Sequence, residues 1–176
     1  IFLITILFAK ANNEIDISAQ KIFLDKDNDI VNATGDVLIK NNQFSISSEE
    51  VIFFKEKKII EADKSVVVND EYNNKYYSDN LISNDDFSEA SAKNIKIRLK
   101  DKSRIVGSIL KRKEGINIIK DSQYTPCIEK NYLIDNCPGW KLKAGTVYHD
   151  EKAKTMHYDH STLYVLNIPV LYTPYF

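Results

Sequence analysis

The chain has 176 residues, with 24 basic and 25 acidic side chains and a formal net charge of −1. That balance excludes the strongly basic surface expected of a nucleic-acid-binding protein. Hydrophobic residues make up 43% of the sequence and charged residues 28%. These proportions are ordinary for a folded domain, and they argue against wholesale disorder and against a polytopic membrane protein.

The start of the chain has the features of an export signal. An apolar run, Ile1–Phe8, is followed by Ala9-Lys10-Ala11, which places small residues where signal peptidase reads them. The run is too short for a membrane-spanning helix, which needs about 20 apolar residues. We therefore predict a partial signal peptide over residues 1–11 and an exported mature chain beginning near Asn12. A first buried strand is the alternative.

Export would place the two cysteines, Cys127 and Cys137, in an oxidising compartment. A disulfide between them would close a loop of about ten residues, worth roughly 3 kcal/mol in the chain-entropy description. Either cysteine could instead pair with a partner outside this sequence. No paired Cys-x-x-Cys spacing is present, so a zinc site is not expected.

The body of the chain alternates apolar and polar residues in short runs, such as Val31 to Ile39 and Val51 to Phe53. Alternation with period two gives a strand one apolar face and one solvated face. Polar clusters such as 25–29, 55–58 and 69–71 separate the runs. This pattern predicts an all-β fold of antiparallel hairpins.

A weak internal repeat supports stacking of those hairpins. Ser47-Ser48-x-x-Val51-x-Phe53 is matched by Ser18-Ala19-x-x-Ile22-x-Leu24 and by Ser91-Ala92-x-x-Ile95-x-Ile97. The small residue followed by an unpaired step of three predicts a bulge or bend at the same height in every layer. The outermost strands of such a stack would expose unpaired edges.

The inward apolar positions have two interpretations, a packed core or the lining of an apolar groove between splayed sheets. Periodicity alone does not choose between them. The candidate lining residues are Ile22, Leu24, Val37, Ile39, Val51, Phe53, Val66, Val68, Ile95 and Ile97.

No catalytic motif stands out. The sequence has no Gly-x-Ser-x-Gly elbow, phosphate-cradling glycine loop or His-Glu-x-x-His motif. His157 and His160 would point to opposite faces of a strand, so a shared metal ion is not expected. We therefore expect neither an enzyme nor a metal or cofactor site.

The C-terminal third contains three distinctive sequence motifs. They are Tyr124-Thr125-Pro126-Cys127, Cys137-Pro138-Gly139-Trp140 and Pro169-Val170-Leu171-Tyr172-Thr173-Pro174-Tyr175-Phe176. Their order resembles the periplasmic region of the OstA, or organic-solvent-tolerance, family of lipopolysaccharide-assembly proteins that includes LptD. The run Ala33-Thr34-Gly35-Asp36-Val37 is also similar to the Gly-Asp-Val signature of OstA-like repeats.

The resemblance implies a β-jellyroll, or β-taco, with an apolar interior groove for lipopolysaccharide acyl chains. It implies a repeat jellyroll over residues 12–123 and a C-terminal jellyroll part with a connection to a β-barrel over 124–176. An LptA-like bridge protein would add a strand to the N-terminal edge, and an LptE-like lipoprotein would bind through the barrel. This segment would face the periplasm at the outer membrane. Cys127 would match a family cysteine that forms interdomain disulfides.

Two alternatives stay open. One is a soluble LptA- or LptC-like lipopolysaccharide bridge without a barrel, and the other is a structural β-repeat domain with a dry core and no ligand.

Overall fold

The computed structural model describes residues 15–41, 43–126, 139–150 and 152–175. These residues form twelve strands and no helix, so this part of the chain has no helix able to cross a membrane. The strands are β1 (Asp16–Ser18), β2 (Lys21–Asp25), β3 (Ile30–Lys40), β4 (Phe44–Phe54), β5 (Ile59–Asp70), β6 (Lys75–Asn84), β7 (Glu89–Arg98), β8 (Arg104–Lys113), β9 (Ile116–Thr125), β10 (Trp140–Asp150), β11 (Thr155–Val165) and β12 (Ile168–Tyr175).

From β3 to β12 each strand pairs antiparallel with the next one along the chain, and the sheet does not close. Both β1 and β2 pair with β3: β1 with its second half and β2 with its first half. They therefore act as one edge strand, interrupted where the Gln20 amide donates to the Gly35 carbonyl at 2.8 Å. The predicted all-β fold of stacked antiparallel hairpins is confirmed.

Most strands bend near their midpoint. The pairing shifts by one residue between Thr34 and Val37, between Ser47 and Glu50, and between Asp63 and Val66. On β3 the bend is made by Gly35 with φ +78° and Asp36 with φ +47°, a left-handed conformation that glycine and aspartate tolerate best. The predicted bend is present where β3 to β6 pair with one another. The short predicted runs are the two halves of longer strands.

The bends fold the sheet into two facing walls. We call the strand halves that end at turns 55–58 and 85–88 the first wall. The halves that lie at the β3–β4 and β7–β8 connections are the second wall. Val68 of the second wall and Leu110 of the first line the same small internal cavity. The inward side chains of both walls form one hydrophobic cluster, which is the core of the described structure.

Candidate apolar binding site

Most of the predicted lining residues are brought together between the walls. Seven of the ten are at most 4% exposed, and Phe53 packs half-buried against them. The seven are Val37, Ile39, Val51, Val66, Val68, Ile95 and Ile97.

Ile22 and Leu24 differ from the other predicted lining residues. They pair with the buried residues Ala33 and Val31, so they face the interior side of the sheet. They are nevertheless 51% and 42% exposed, because β2 lies at the edge of the sheet. Their assignment to a lipid groove stays a prediction. Among the described residues, the apolar interior extends past β3 to an open N-terminal mouth formed by these two side chains.

The centre of the interior is packed. The cavity that lies among Val68, Tyr76, Leu81 and Leu110 has a volume of about 10 Å³, room for about one water at most. The groove expected between the walls is therefore closed at this level in the structure. Admitting an acyl chain here requires the walls to separate.

An aromatic contact joins the free margins of the two walls, and an arginine of the first wall supports it. Phe44, at the start of β4 in the second wall, lies against Phe87 in the β6–β7 turn of the first wall, with 5.1 Å between ring centroids. Arg112 on β8 donates from Nε to the Phe87 carbonyl at 3.0 Å, and its guanidinium lies 5.5 Å from the Phe87 ring centroid. We call these three residues the seam.

A polar cleft of about 540 Å³ opens outside the seam. Asp70, Glu71, Asp86 and Glu114 line it together with Arg112 and Lys152, so its lining has a formal charge of −2. The Asp70 carboxylate already stabilises its own turn, because its Oδ1 accepts hydrogen bonds from the backbone amides of Tyr72 and Asn74 at 2.9 and 2.8 Å. A hydrogen bond from the Ser88 amide lowers the pKa of Asp86, which favours its ionised form. This cleft therefore lies beside the interior as a solvated margin.

The C-terminal end of the interior holds a second, apolar pocket of about 310 Å³. Its lining is Tyr124, Trp140, Leu142, Tyr158, Ser161, Leu163, Leu171 and Thr173. None of these side chains is charged. The Tyr124 and Trp140 rings lie 5.8 Å apart, and burial raises the pKa of the Tyr158 phenol, with a smaller contribution from Tyr124. We call this the C-terminal pocket.

Several of these residues were not found from the sequence. Phe87 lies inside the polar turn Asp85–Ser88, where a single aromatic gives no period to read. Its φ of +58° is rare for a bulky side chain and could not be read from the pattern. The predicted signal segment 1–11 and both cysteines, Cys127 and Cys137, lie outside the described residues.

Comparison with known families gives a match over most of the chain. The family model described as periplasmic copper-binding protein (NosD) matches residues 4–163. The chain belongs to this family. A search of curated proteins found no match.

Among solved structures, the chain is similar to LptH of Pseudomonas aeruginosa, described as the LptA homologous periplasmic component of the lipopolysaccharide transport device. The identity is 10%, the alignment covers 84% of this chain and 82% of that chain, and the TM-score is 0.34. A likeness of this size assigns no activity.

The family description raises copper, and the described residues do not fit it. They contain no group of three or more histidine, cysteine, aspartate or glutamate side chains that could hold a metal ion. His149 lies opposite Met156 across β10 and β11, whereas His157 lies opposite Tyr148, so the two histidines face opposite sides of the sheet. The Met156 sulfur already accepts from the Tyr158 hydroxyl at 3.2 Å, and His160 Nδ1 lies 3.0 Å from the Tyr172 hydroxyl.

Proposed function

We propose that this chain is a periplasmic module that carries the acyl chains of lipopolysaccharide along its interior, as a soluble LptA-like bridge protein would. One observation carries the proposal. In the described ranges of the chain, the apolar inner face runs from one edge strand to the other, and no further strand covers it at either end. At the N-terminal mouth it continues through Ile22 and Leu24, and at the C-terminal end it continues through Leu142, Leu163 and Leu171.

A core that served only stability would be expected to bury its outermost apolar side chains. Each exposed large side chain forgoes about 1.5–3 kcal/mol of burial free energy. Leu171 is 60% exposed and Ile22 is 51% exposed, at opposite edges of the sheet. Their exposure on the interior face is explained if the apolar surface of another protein continues the interior at each end of the sheet.

The unpaired strand edges supply a way to continue it. In the described part of the chain, β1 and β2 form one edge and β12 the other. An exposed edge accepts an added strand through main-chain hydrogen bonds. A bridge protein of the same kind, added at the β1–β2 edge, would align its own interior with Ile22 and Leu24.

Passage of an acyl chain through the centre requires the walls to part. At the seam, the contact that crosses from one wall to the other is the Phe44–Phe87 ring contact, whereas Arg112 and Phe87 both lie in the first wall. Such a ring contact is worth about 0.5–1.5 kcal/mol beyond its burial, which is comparable to burying one or two methylene groups at about 0.8 kcal/mol each. Lipid binding can therefore offset the loss of the seam.

The narrower interpretation, an LptD module that leads into an outer-membrane barrel and binds an LptE-like lipoprotein through it, stays a prediction. It rests on the resemblance of the sequence motifs around Cys127, Trp140 and Pro174 to those of the OstA family. Reading the source frame past Phe176 tests it: a long series of alternating strands with aromatic girdles supports LptD, and a stop codon supports the bridge.

Photo-crosslinking tests the carrier function. A photoreactive amino acid replaces Phe53, which packs half-buried against the core, and separately Ile52, its neighbour on the opposite face of β4. With purified lipopolysaccharide, we expect an adduct from position 53 and none from position 52. Equal adducts at both positions, or none at 53, would mean that the interior is a dry core.

A further inference from the structure

We propose that the C-terminal pocket is a specific site for a neutral amphiphile with an aliphatic body and one hydroxyl or carbonyl group, which hydrogen-bonds to Ser161. The inference goes beyond acyl-chain carriage, because it does not require the centre of the interior to open.

Ser161 is the first observation. It is 1% exposed and lines the pocket, yet its hydroxyl has no hydrogen-bond partner among the residues that the structure describes. Buried polar groups are nearly always paired, and an unpaired one often marks the place of a missing partner. An apolar occupant alone would leave this hydroxyl unpaired.

Its neighbours show that the position is unusual. One row across β9 to β12 places Ser122, Ala144, Ser161 and Thr173 side by side. The Ser122 hydroxyl donates to the Ala144 carbonyl at 3.4 Å, and the Thr173 hydroxyl donates to the Tyr175 carbonyl. Of the three hydroxyls in the row, Ser161 is the one that faces the pocket without a partner.

The rest of the lining sets the chemistry of the ligand. Three leucines and three aromatic rings surround Ser161, and none of the lining side chains carries a charge. Burying an ionised group here would cost several kcal/mol without compensation, so the ligand is neutral. The volume of about 310 Å³ falls at the lower end of the range of about 300–1,000 Å³ for small-molecule sites.

Tryptophan fluorescence reports on this pocket directly, because Trp140 lines it and is the one tryptophan of the chain. The probe is N-phenyl-1-naphthylamine, a neutral fluorophore that accepts energy from tryptophan. The full chain is titrated with the probe, which is then displaced by 1-octanol or by 1-chlorooctane. These competitors share a chain length, but 1-octanol alone carries a hydroxyl.

Ser161→Ala should weaken displacement by 1-octanol about five-fold, as expected for one net hydrogen bond, and should leave 1-chlorooctane unchanged. Ser122→Ala is the matched control and should change neither, because that hydroxyl lies outside the pocket. Far-ultraviolet circular dichroism confirms that both variants fold.

The proposal is overturned if Ser161→Ala affects both competitors equally or neither, or if bound probe receives no energy from Trp140. The proposal is also overturned if Trp140 emission changes with protein concentration but not with 1-octanol. That result would mean that a second copy of the chain fills the pocket. A failure of these tests would leave the lipopolysaccharide adduct at position 53 unaffected, so the two proposals fail separately.

Discussion

Phe44 and Phe87 lie with their ring centroids 5.1 Å apart and join the free margins of two walls that belong to one continuous sheet. Neither ring is paired with the other through strand register, since Phe44 pairs with Asp70 and Phe87 lies in a turn. The contact therefore exists only because the bent strands bring opposite ends of different hairpins together. It lies at the margin of the core cluster that packs between the two walls.

Removing the Phe87 ring should weaken this closure. Phe87→Ala deletes the ring contact and the guanidinium contact from Arg112, and we expect a loss of about 3 kcal/mol in the free energy of unfolding. Urea denaturation followed by circular dichroism measures it. Phe23→Ala is the control, because Phe23 is 66% exposed on β2 and should change stability by less than about 0.5 kcal/mol. Equal effects of the two substitutions would show that the seam contributes nothing.

The bend of β4 depends on a serine hydroxyl. Ser48 Oγ is buried and donates to the Asp63 carbonyl at 2.6 Å, across the point where the pairing of β4 and β5 shifts. Ser48→Ala should destabilise the fold by about 1–2 kcal/mol, because it removes the buried hydroxyl that donates to the Asp63 carbonyl at the bend. Thermal unfolding compares it with Ser47→Ala, on the opposite face of the same strand, for which we expect little change. A larger loss for Ser47→Ala would contradict this account.

The repeat predicted this bend because its small residues, Ser48 and Ala92, occupy the tight inner corner of each strand. Alternation likewise placed Val37 and Ile39 on the correct face, since the side-chain period of a strand is fixed by its geometry. Neither signal reports how far a wall extends. Ile22 and Leu24 were assigned to the correct face, but their exposure depends on the absence of a facing partner, which no local pattern records.

The seam and the C-terminal pocket escaped prediction for a related reason. Phe44 and Phe87 meet through the bend of the whole sheet, which no short window of sequence encodes. Ser161 appeared as one more serine in an alternating run. Its hydroxyl stands out because it is buried without a hydrogen-bond partner among the described residues, which a sequence pattern does not record.

Two strand glycines should respond oppositely to alanine. A Cβ at Gly107 on β8 would lie 2.5 Å from Ile119 Cγ2 and 2.9 Å from the Lys120 carbonyl oxygen, so the backbone of β9 would have to shift. We expect Gly107→Ala to cost about 1–3 kcal/mol of unfolding free energy.

Gly145 on β10 provides the matched case, because a Cβ there would meet its nearest atom at 3.6 Å, an ordinary contact. Gly145→Ala should be neutral or stabilising by up to about 1 kcal/mol, through a less flexible unfolded chain. Chemical denaturation of both variants measures the two changes in the free energy of unfolding. Similar losses at the two positions would mean that close packing of β8 on β9 is not the reason for Gly107.

Tyr158 should make stability depend on alkaline pH. Burial raises the pKa of its phenol above the ordinary value of 10.0, and Tyr124 adds a smaller effect. Well below pH 10 the phenol is neutral in both the folded and the unfolded chain and adds no pH dependence. As the pH rises further, the unfolded chain loses this proton first, so stability falls until the folded-state pKa is passed.

Tyr158→Phe removes that titration, and the variant should lose less stability than the parent between about pH 9 and pH 11. Urea unfolding at each pH measures the difference. Tyr124→Phe is the control: it deletes the neighbouring phenol but keeps Tyr158 buried, and because burial is the larger cause, most of the alkaline loss should remain. If the parent and Tyr158→Phe lose stability in parallel, then Tyr158 is hydrated in solution and the C-terminal pocket is more open to water than its apolar lining indicates.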